Sequence, residues 1–165
     1  MPVLTRKLPR LGLVLSSLLL EGCLHLQLGG AVTGATVTVT PLRDPATTIE
    51  QVRTPTLDEV IASSGAERWP TRSELGRFTF LGNVTLDQDL YDPDTLYLVT
   101  ASGGFDQDSD SDNSLDEPPT PVGGQWHAIL TGDQLSRGKV SPLTEAVYRY
   151  LELNLDSLSD AEILA

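Results

Sequence analysis

The chain has 165 residues, one domain's worth at roughly 100–200 residues per domain, and is 39% hydrophobic. Its 11 Lys and Arg face 23 Asp and Glu, and the net charge of −12 sets it against phosphate backbones, so nucleic acid is excluded as a partner. A single cysteine excludes an internal disulfide.

Residues 1–22 carry Arg6, Lys7 and Arg10, then an apolar run from Leu11 to Leu20. A helix over that run rises only about 15 Å, half the hydrocarbon core of a bilayer, so the pattern predicts a secretory signal peptide. The run ends in Leu20-Glu21-Gly22-Cys23, which resembles the lipobox of bacterial lipoproteins, with Glu21 standing where the motif prefers a small or apolar residue. The resemblance implies that Cys23 becomes the lipidated N-terminus of an exported chain, anchored to a membrane of the cell envelope, most simply the outer membrane. Ordinary signal cleavage nearby, giving a periplasmic or secreted protein, is the alternative. Loss of residues 1–22 removes three bases and one acid.

From Leu24 the hydrophobic period is two. Leu24, Leu26 and Leu28 alternate with polar residues up to Gly29-Gly30, and Val32–Thr40 is β-branched and alternating up to Pro41. These segments predict two strands. Further strands are expected at Gly76–Leu81, Thr95–Ala101 and Gln125–Thr131. Thr56-Leu57-Asp58-Glu59 is a capping box, predicting a short helix that stops near Gly65. The expected fold is therefore mainly β: a small antiparallel β-sandwich over residues 23–140 with one short helical insertion.

Three motifs carry a family resemblance. Gly34-Ala35-Thr36-Val37-Thr38-Val39, Gly76-Arg77-Phe78-Thr79-Phe80 and Tyr97-Leu98-Val99-Thr100 follow one another as in the transthyretin-like, carboxypeptidase-regulatory-like β-sandwiches. The match covers roughly residues 24–104, and the stretch from Pro41 to Glu74 is longer than the usual connection. Such domains are generally non-catalytic adaptors, so the resemblance implies a binding or scaffold role.

The most informative chemistry lies at 106–117. Asp108, Asp110, Asp112 and Asp116 fall at positions 1, 3, 5 and 9 of a calcium loop, with the Ser114 carbonyl at 7 and Leu115 at the apolar position 8. Asn113 replaces the usual Gly, and Pro119 stands where an EF-hand has its bidentate Glu. The loop thus resembles the D-x-D-x-D-x-x-x-D repeats of dockerins and thrombospondin type 3 segments, with Asp106 or Glu117 available to complete the shell. The resemblance implies a structural Ca2+ ion; the alternative is a solvated acidic linker.

Residues 78–136 hold no Lys or Arg at all. Within them, Asp87, Asp89, Asp92 and Asp94 suit either a second, weaker cation site or a turn built on Asx and Pro chemistry. His25 and His127 lie in predicted strands without a partner at metal-ligand spacing, and no nucleophile motif occurs, so no enzyme activity is expected.

Ser141-Pro142 starts a predicted amphipathic helix to about Leu155, with Leu143, Ala146, Val147, Tyr150 and Leu151 as an apolar stripe that covers a sheet face or, if exposed, forms a partner surface. The tail spans 141–165. Ser159-Asp160-Ala161-Glu162 is a second capping box, with too few residues after it for a stable helix, so the end is expected to fray unless it belongs to a longer helical parent. The combined expectation is an exported, calcium-binding module whose protein or polysaccharide partner is not encoded in any motif. The second reading is a non-catalytic accessory or adhesion fragment of an extracellular polysaccharide-degrading system.

Overall fold

Ten strands alternate with short turns in the computed structural model, which describes residues 23–29, 31–64, 83–110 and 115–164. The strands are β1 (Cys23–Leu28), β2 (Val32–Thr33), β3 (Thr36–Pro41), β4 (Glu50–Arg53), β5 (Asn83–Asp87), β6 (Leu96–Ser102), β7 (Phe105–Asp106), β8 (Thr120–Pro121), β9 (Gln125–Thr131) and β10 (Lys139–Val140). The helices are α1 (Leu57–Ser64), α2 (Pro142–Glu152) and α3 (Asp160–Ile163). The signal segment and the expected strand Gly76–Leu81 lie outside the described residues.

Period-two patterning builds the main sheet. Along β3, Val37 and Val39 are fully buried while Thr36 and Thr38 between them keep some exposure. β3 pairs antiparallel with β6, setting Val37 opposite Ala101 and Val39 opposite Val99. β6 pairs antiparallel with β9, setting Val99 opposite Ala128. With β4 on the far side, the sheet has four strands in the order β4-β3-β6-β9.

A second sheet, in the order β10-β1-β5, supplies the other half of the core. Leu26, Leu28, Val84, Leu86 and Val140 from its strands join Val37, Val39, Val99, Ala101 and Ala128 in one buried cluster. Complete burial of a Leu or Val side chain stabilises by about 1.5–3 kcal/mol, so these facing rows hold the sheets together. The fold is mainly β, a small sandwich. One pairing departs from the antiparallel expectation: β1 runs parallel to β10 through Gln27–Lys139 and Leu28–Val140.

Three side chains close the exposed margins of the sheets. The Glu50 carboxylate on β4 accepts the Asp87 backbone N–H at 3.2 Å and the Tyr91 hydroxyl at 2.7 Å, joining the two sheets along one side. Burial, and then the hydrogen bond to Glu50, push the Tyr91 phenol upward, so Tyr91 stays a neutral donor. On β9, the outward N–H groups of His127 and Thr131 donate to Glu145 and Gln134 side chains, at 2.7 and 3.0 Å.

The C-terminal helix is capped as expected, with reciprocal Ser141–Thr144 bonds and Pro142 at its start. Its orientation differs from the expected stripe. Leu143, Val147 and Tyr150 are 74%, 53% and 79% exposed, while Tyr148 stacks on His127 at 4.3 Å. The cause is polar. Glu145 accepts from both the His127 backbone and its ring, so Glu145 and Tyr148 fix the helix rotation that the apolar stripe leaves open. Burial works to raise the Glu145 carboxyl, but hydrogen bonds from His127 and Arg149 outweigh it and hold it below its ordinary value.

The final capping box does form one helical turn rather than fraying, with Ser159 and Glu162 bonded reciprocally. Arg43, from the turn after β3, secures it. Its guanidinium donates to the Leu155 and Leu158 carbonyls and pairs with Asp160 at 2.8 Å. A distant cation supplies the stability that a single turn lacks on its own.

Glu50→Ala removes the carboxylate on β4 that accepts both the Asp87 N–H and the Tyr91 hydroxyl. The variant should lose about 1.5–3 kcal/mol in urea denaturation, the range for hydrogen bonds to a charged group. Glu50→Gln, which keeps an acceptor for Tyr91, should lose less.

Candidate functional site

The described parts of the acidic segment adjoin a strand pair, Asp106 ending β7 and Asp116 and Glu117 preceding β8. β6 ends at Gly103-Gly104, both with left-handed backbone at φ +66° and +86°, and the chain turns into β7. A Cβ on Gly104 would stand 2.6 Å from the Thr33 carbonyl oxygen, so the close approach of β2 needs glycine there. β7 then pairs antiparallel with β2 on one side and β8 on the other, forming a third, small sheet.

The loop between β7 and β8 is drawn shut at its neck. The Asp116 N–H donates to the Gln107 carbonyl at 2.8 Å. Asp116 Oδ2 accepts from the Ser109 N–H at 2.9 Å and from its hydroxyl at 2.6 Å. These two Ser109 bonds hold the Asp116 carboxyl below its ordinary value. Asp106 Oδ1 accepts the Asp108 N–H at 3.2 Å, an Asx turn that bends the strand into the loop.

Of the expected calcium ligands, Asp106, Asp108, Asp110, Asp116 and Glu117 are described, whereas Asp112 and Ser114 lie outside the described residues. Among the described residues, no three acidic, histidine or cysteine side chains are gathered as a metal group. The donor set still suits a hard cation in kind, being all oxygen. Asp106 and Asp116 each use one carboxylate oxygen in the loop bonds above and keep a second. The acids at 87–94 follow the turn reading: Asp87 Oδ1 accepts from Asp89 N–H and Asp92 Oδ1 from Asp94 N–H.

Beside this loop lies a cleft of about 620 Å³ between the small sheet and the start of α1. Its floor holds Thr33 and Gln107, each 3% exposed. Gln107 Nε2 donates to the Thr33 hydroxyl at 2.8 Å. Leu57, Phe105, Pro118 and Pro119 give the cleft apolar walls, and Phe105 is 48% exposed. Asp116 and Glu117 at the end of the acidic loop line the same space.

The far wall is anchored by local chemistry. Buried Thr54 accepts the Ala35 N–H on its hydroxyl at 2.8 Å, and its own N–H donates to the Ala35 carbonyl, tying the lead-in of α1 to β3. At the helix start, the Glu59 carboxylate accepts the Thr56 N–H at 2.7 Å and takes Arg53 in a two-point pair, the shorter contact being 2.8 Å. The Arg53 pair, then the Thr56 N–H, bring the Glu59 carboxyl down to about 2.

No sequence motif marks Gln107 or Phe105 for a site, and Pro119 stands out only as the residue in place of an EF-hand's bidentate Glu. The capping box did place Thr56 and Glu59. Cys23 opens β1, opposite Asp87 in the register. His127 lies in β9, in a strand as expected, and is buried and bonded to Glu145 through Nδ1 at 2.7 Å.

No protein-family model, curated protein or solved structure matches this chain. Among the described residues, no helix is long and apolar enough to cross a membrane.

Because the Glu59 carboxyl is depressed in the folded state, its link to Arg53 and Thr56 contributes above the ordinary carboxyl value of 4.5 and is lost as pH falls toward about 2. A carbon-detected NMR titration of the Glu59 side chain should show that low midpoint. Arg53→Ala should move it back toward 4.5.

Proposed function

We propose that this protein is a non-catalytic binding module, exported and held at the cell envelope through a lipid on Cys23. In this reading Ca2+ is a structural ion of the 106–117 loop, held by Asp108, Asp110, Asp112, Asp116 and the Ser114 carbonyl, with Asp106 or Glu117 completing the shell. The lipobox-like run before Cys23 supports the anchor, and the spacing of the loop acids supports the ion. The resemblance to carboxypeptidase-regulatory-like sandwiches supports an adaptor role.

The observation that carries the reading is the shared wall. Asp116, Glu117, Pro118 and Pro119 belong to the end of the acidic loop and also line the 620 Å³ cleft. An ion that orders the loop therefore shapes the cleft, which gives a structural ion a function. A cleft of this size, mostly apolar with a few polar groups on its floor, is what small-ligand and side-chain recognition requires.

Calorimetric titration of the chain with calcium should give saturable heat. At a hundredfold excess over Kd, binding should add about 2.7 kcal/mol of stability, read as a rise in melting temperature. Asp108→Asn with Asp110→Asn should weaken the response; absence of heat and of any melting shift at millimolar calcium overturns the ion assignment. For the anchor, the wild-type chain expressed in a bacterial host should incorporate labelled palmitate and Cys23→Ala should not. An unlabelled wild-type chain overturns it.

A further inference from the structure

The cleft has a charge that selects its ligand. Of the described residues that line it, Arg53 alone is basic, and both terminal nitrogens of its guanidinium are held by Glu59. Asp58, Asp116 and Glu117 are acidic. Asp116 is turned toward Ser109, whereas Asp58 and Glu117 are exposed at the rim. An anionic ligand would meet these carboxylates in a chain already at −12.

The floor adds a second, independent sign. Gln107 is 3% exposed and commits Nε2 to Thr33. Its Oε1 has no partner among the described residues, yet among those residues no fully buried side-chain oxygen is left without one. Gln107 Oε1 therefore keeps its small exposed area, and the space that Gln107 lines is the cleft. A buried carbonyl oxygen of this kind asks for a ligand N–H. Phe105, 48% exposed, lines the same space with an aromatic ring, and Leu57, Pro118 and Pro119 offer apolar contact.

We infer that the cleft binds an organic cation on an apolar stem: the guanidinium or ammonium of an Arg or Lys side chain, or a free polyamine of the same chemistry. The stem lies along Leu57, Pro118 and Pro119. The charged head is attracted by Asp58 and Glu117, stacks against Phe105 and donates a hydrogen to Gln107 Oε1. This deepens the binding-module reading and rests on it.

The test is fluorescence anisotropy on the full chain with a labelled alanine-rich hexapeptide carrying two arginines, with the matching two-glutamate peptide as comparison. The arginine peptide should bind saturably and the glutamate peptide should not. Phe105→Ala should weaken binding about two- to fivefold, as loss of an exposed cation–aromatic contact does. Asp58→Asn with Glu117→Gln, both exposed, should weaken it about tenfold or more in calcium-free buffer, with an unchanged urea midpoint showing that the double variant is folded. Asp156→Asn, an exposed acid that does not line the cleft, should leave it unchanged.

Equal loss in the Asp156 variant would reduce the attraction to overall charge and overturn the site. So would equal binding of both peptides. Spermidine is the second probe: competition with the peptide, or binding of spermidine alone, supports a free polyamine as the source, and peptide binding that spermidine does not displace supports a protein side chain. Binding of neither probe overturns the inference. Each measurement is repeated with and without calcium. A calcium-induced melting shift without cation binding removes this inference alone, and cation binding without any calcium response removes the calcium reading alone.

Discussion

Every open sheet ends in a row of backbone groups that must find partners or face water, and that constraint organises this sandwich. The usual device is lysine on the edge, which this chain scarcely has. Carboxylates and a carboxamide serve instead. Glu50 takes the Asp87 N–H of β5, Glu145 takes the His127 N–H of β9, and Gln134 takes the Thr131 N–H further along the same edge. A carboxylate only accepts, so each closes an edge through its N–H groups. Each also fastens something further: Glu50 holds the second sheet through Tyr91, and Glu145 holds the C-terminal helix through the His127 ring.

This use of acids accounts for much of what the sequence left open. Strands whose burial largely alternates, such as β3 and β6, are legible because period two is read directly from Val, Leu and Thr, and β9 is legible from its apolar run between glycines. β5 alternates as well, Val84 and Leu86 being buried, but it is short and flanked by turn-forming Asn and Asp. β4 has one β-branched residue, Val52, and exists because the free edge of β3 pairs with it. It occupies part of the long Pro41–Glu74 connection, where local propensity carries little signal. The rotation of the C-terminal helix is hidden for a related reason: Leu143, Val147 and Tyr150 form a regular stripe, yet the His127–Glu145 bond decides which side faces the sheet.

The candidate site divides in the same way. The acidic loop stands out in the sequence because its spacing is local, and so does the α1 cap. The cleft is not local. Its floor joins Thr33 to Gln107, 74 positions apart, and its walls bring the start of α1 beside Pro118 and Pro119. Only the turn at Gly103-Gly104, which lays β7 along β2, brings those segments together. A glutamine, a phenylalanine and two prolines have no distinguishing pattern until that turn is made.

The parallel pairing of β1 with β10 has a consequence for how the chain reaches this structure. Gln27 and Lys139 are neighbours in one sheet while nearly the whole described chain runs between them. Contacts of such separation form late, because loop closure must be met before they contribute, and they slow folding relative to hairpins. Leu26 and Leu28, fully buried in the finished sandwich, therefore remain uncovered on one margin until the segment around Val140 has been made. During synthesis the β4-β3-β6-β9 sheet is free to assemble first, and β1 is enclosed by β10, made more than a hundred residues later. The vulnerable interval for aggregation lies in that gap between making the first strand and completing its sheet.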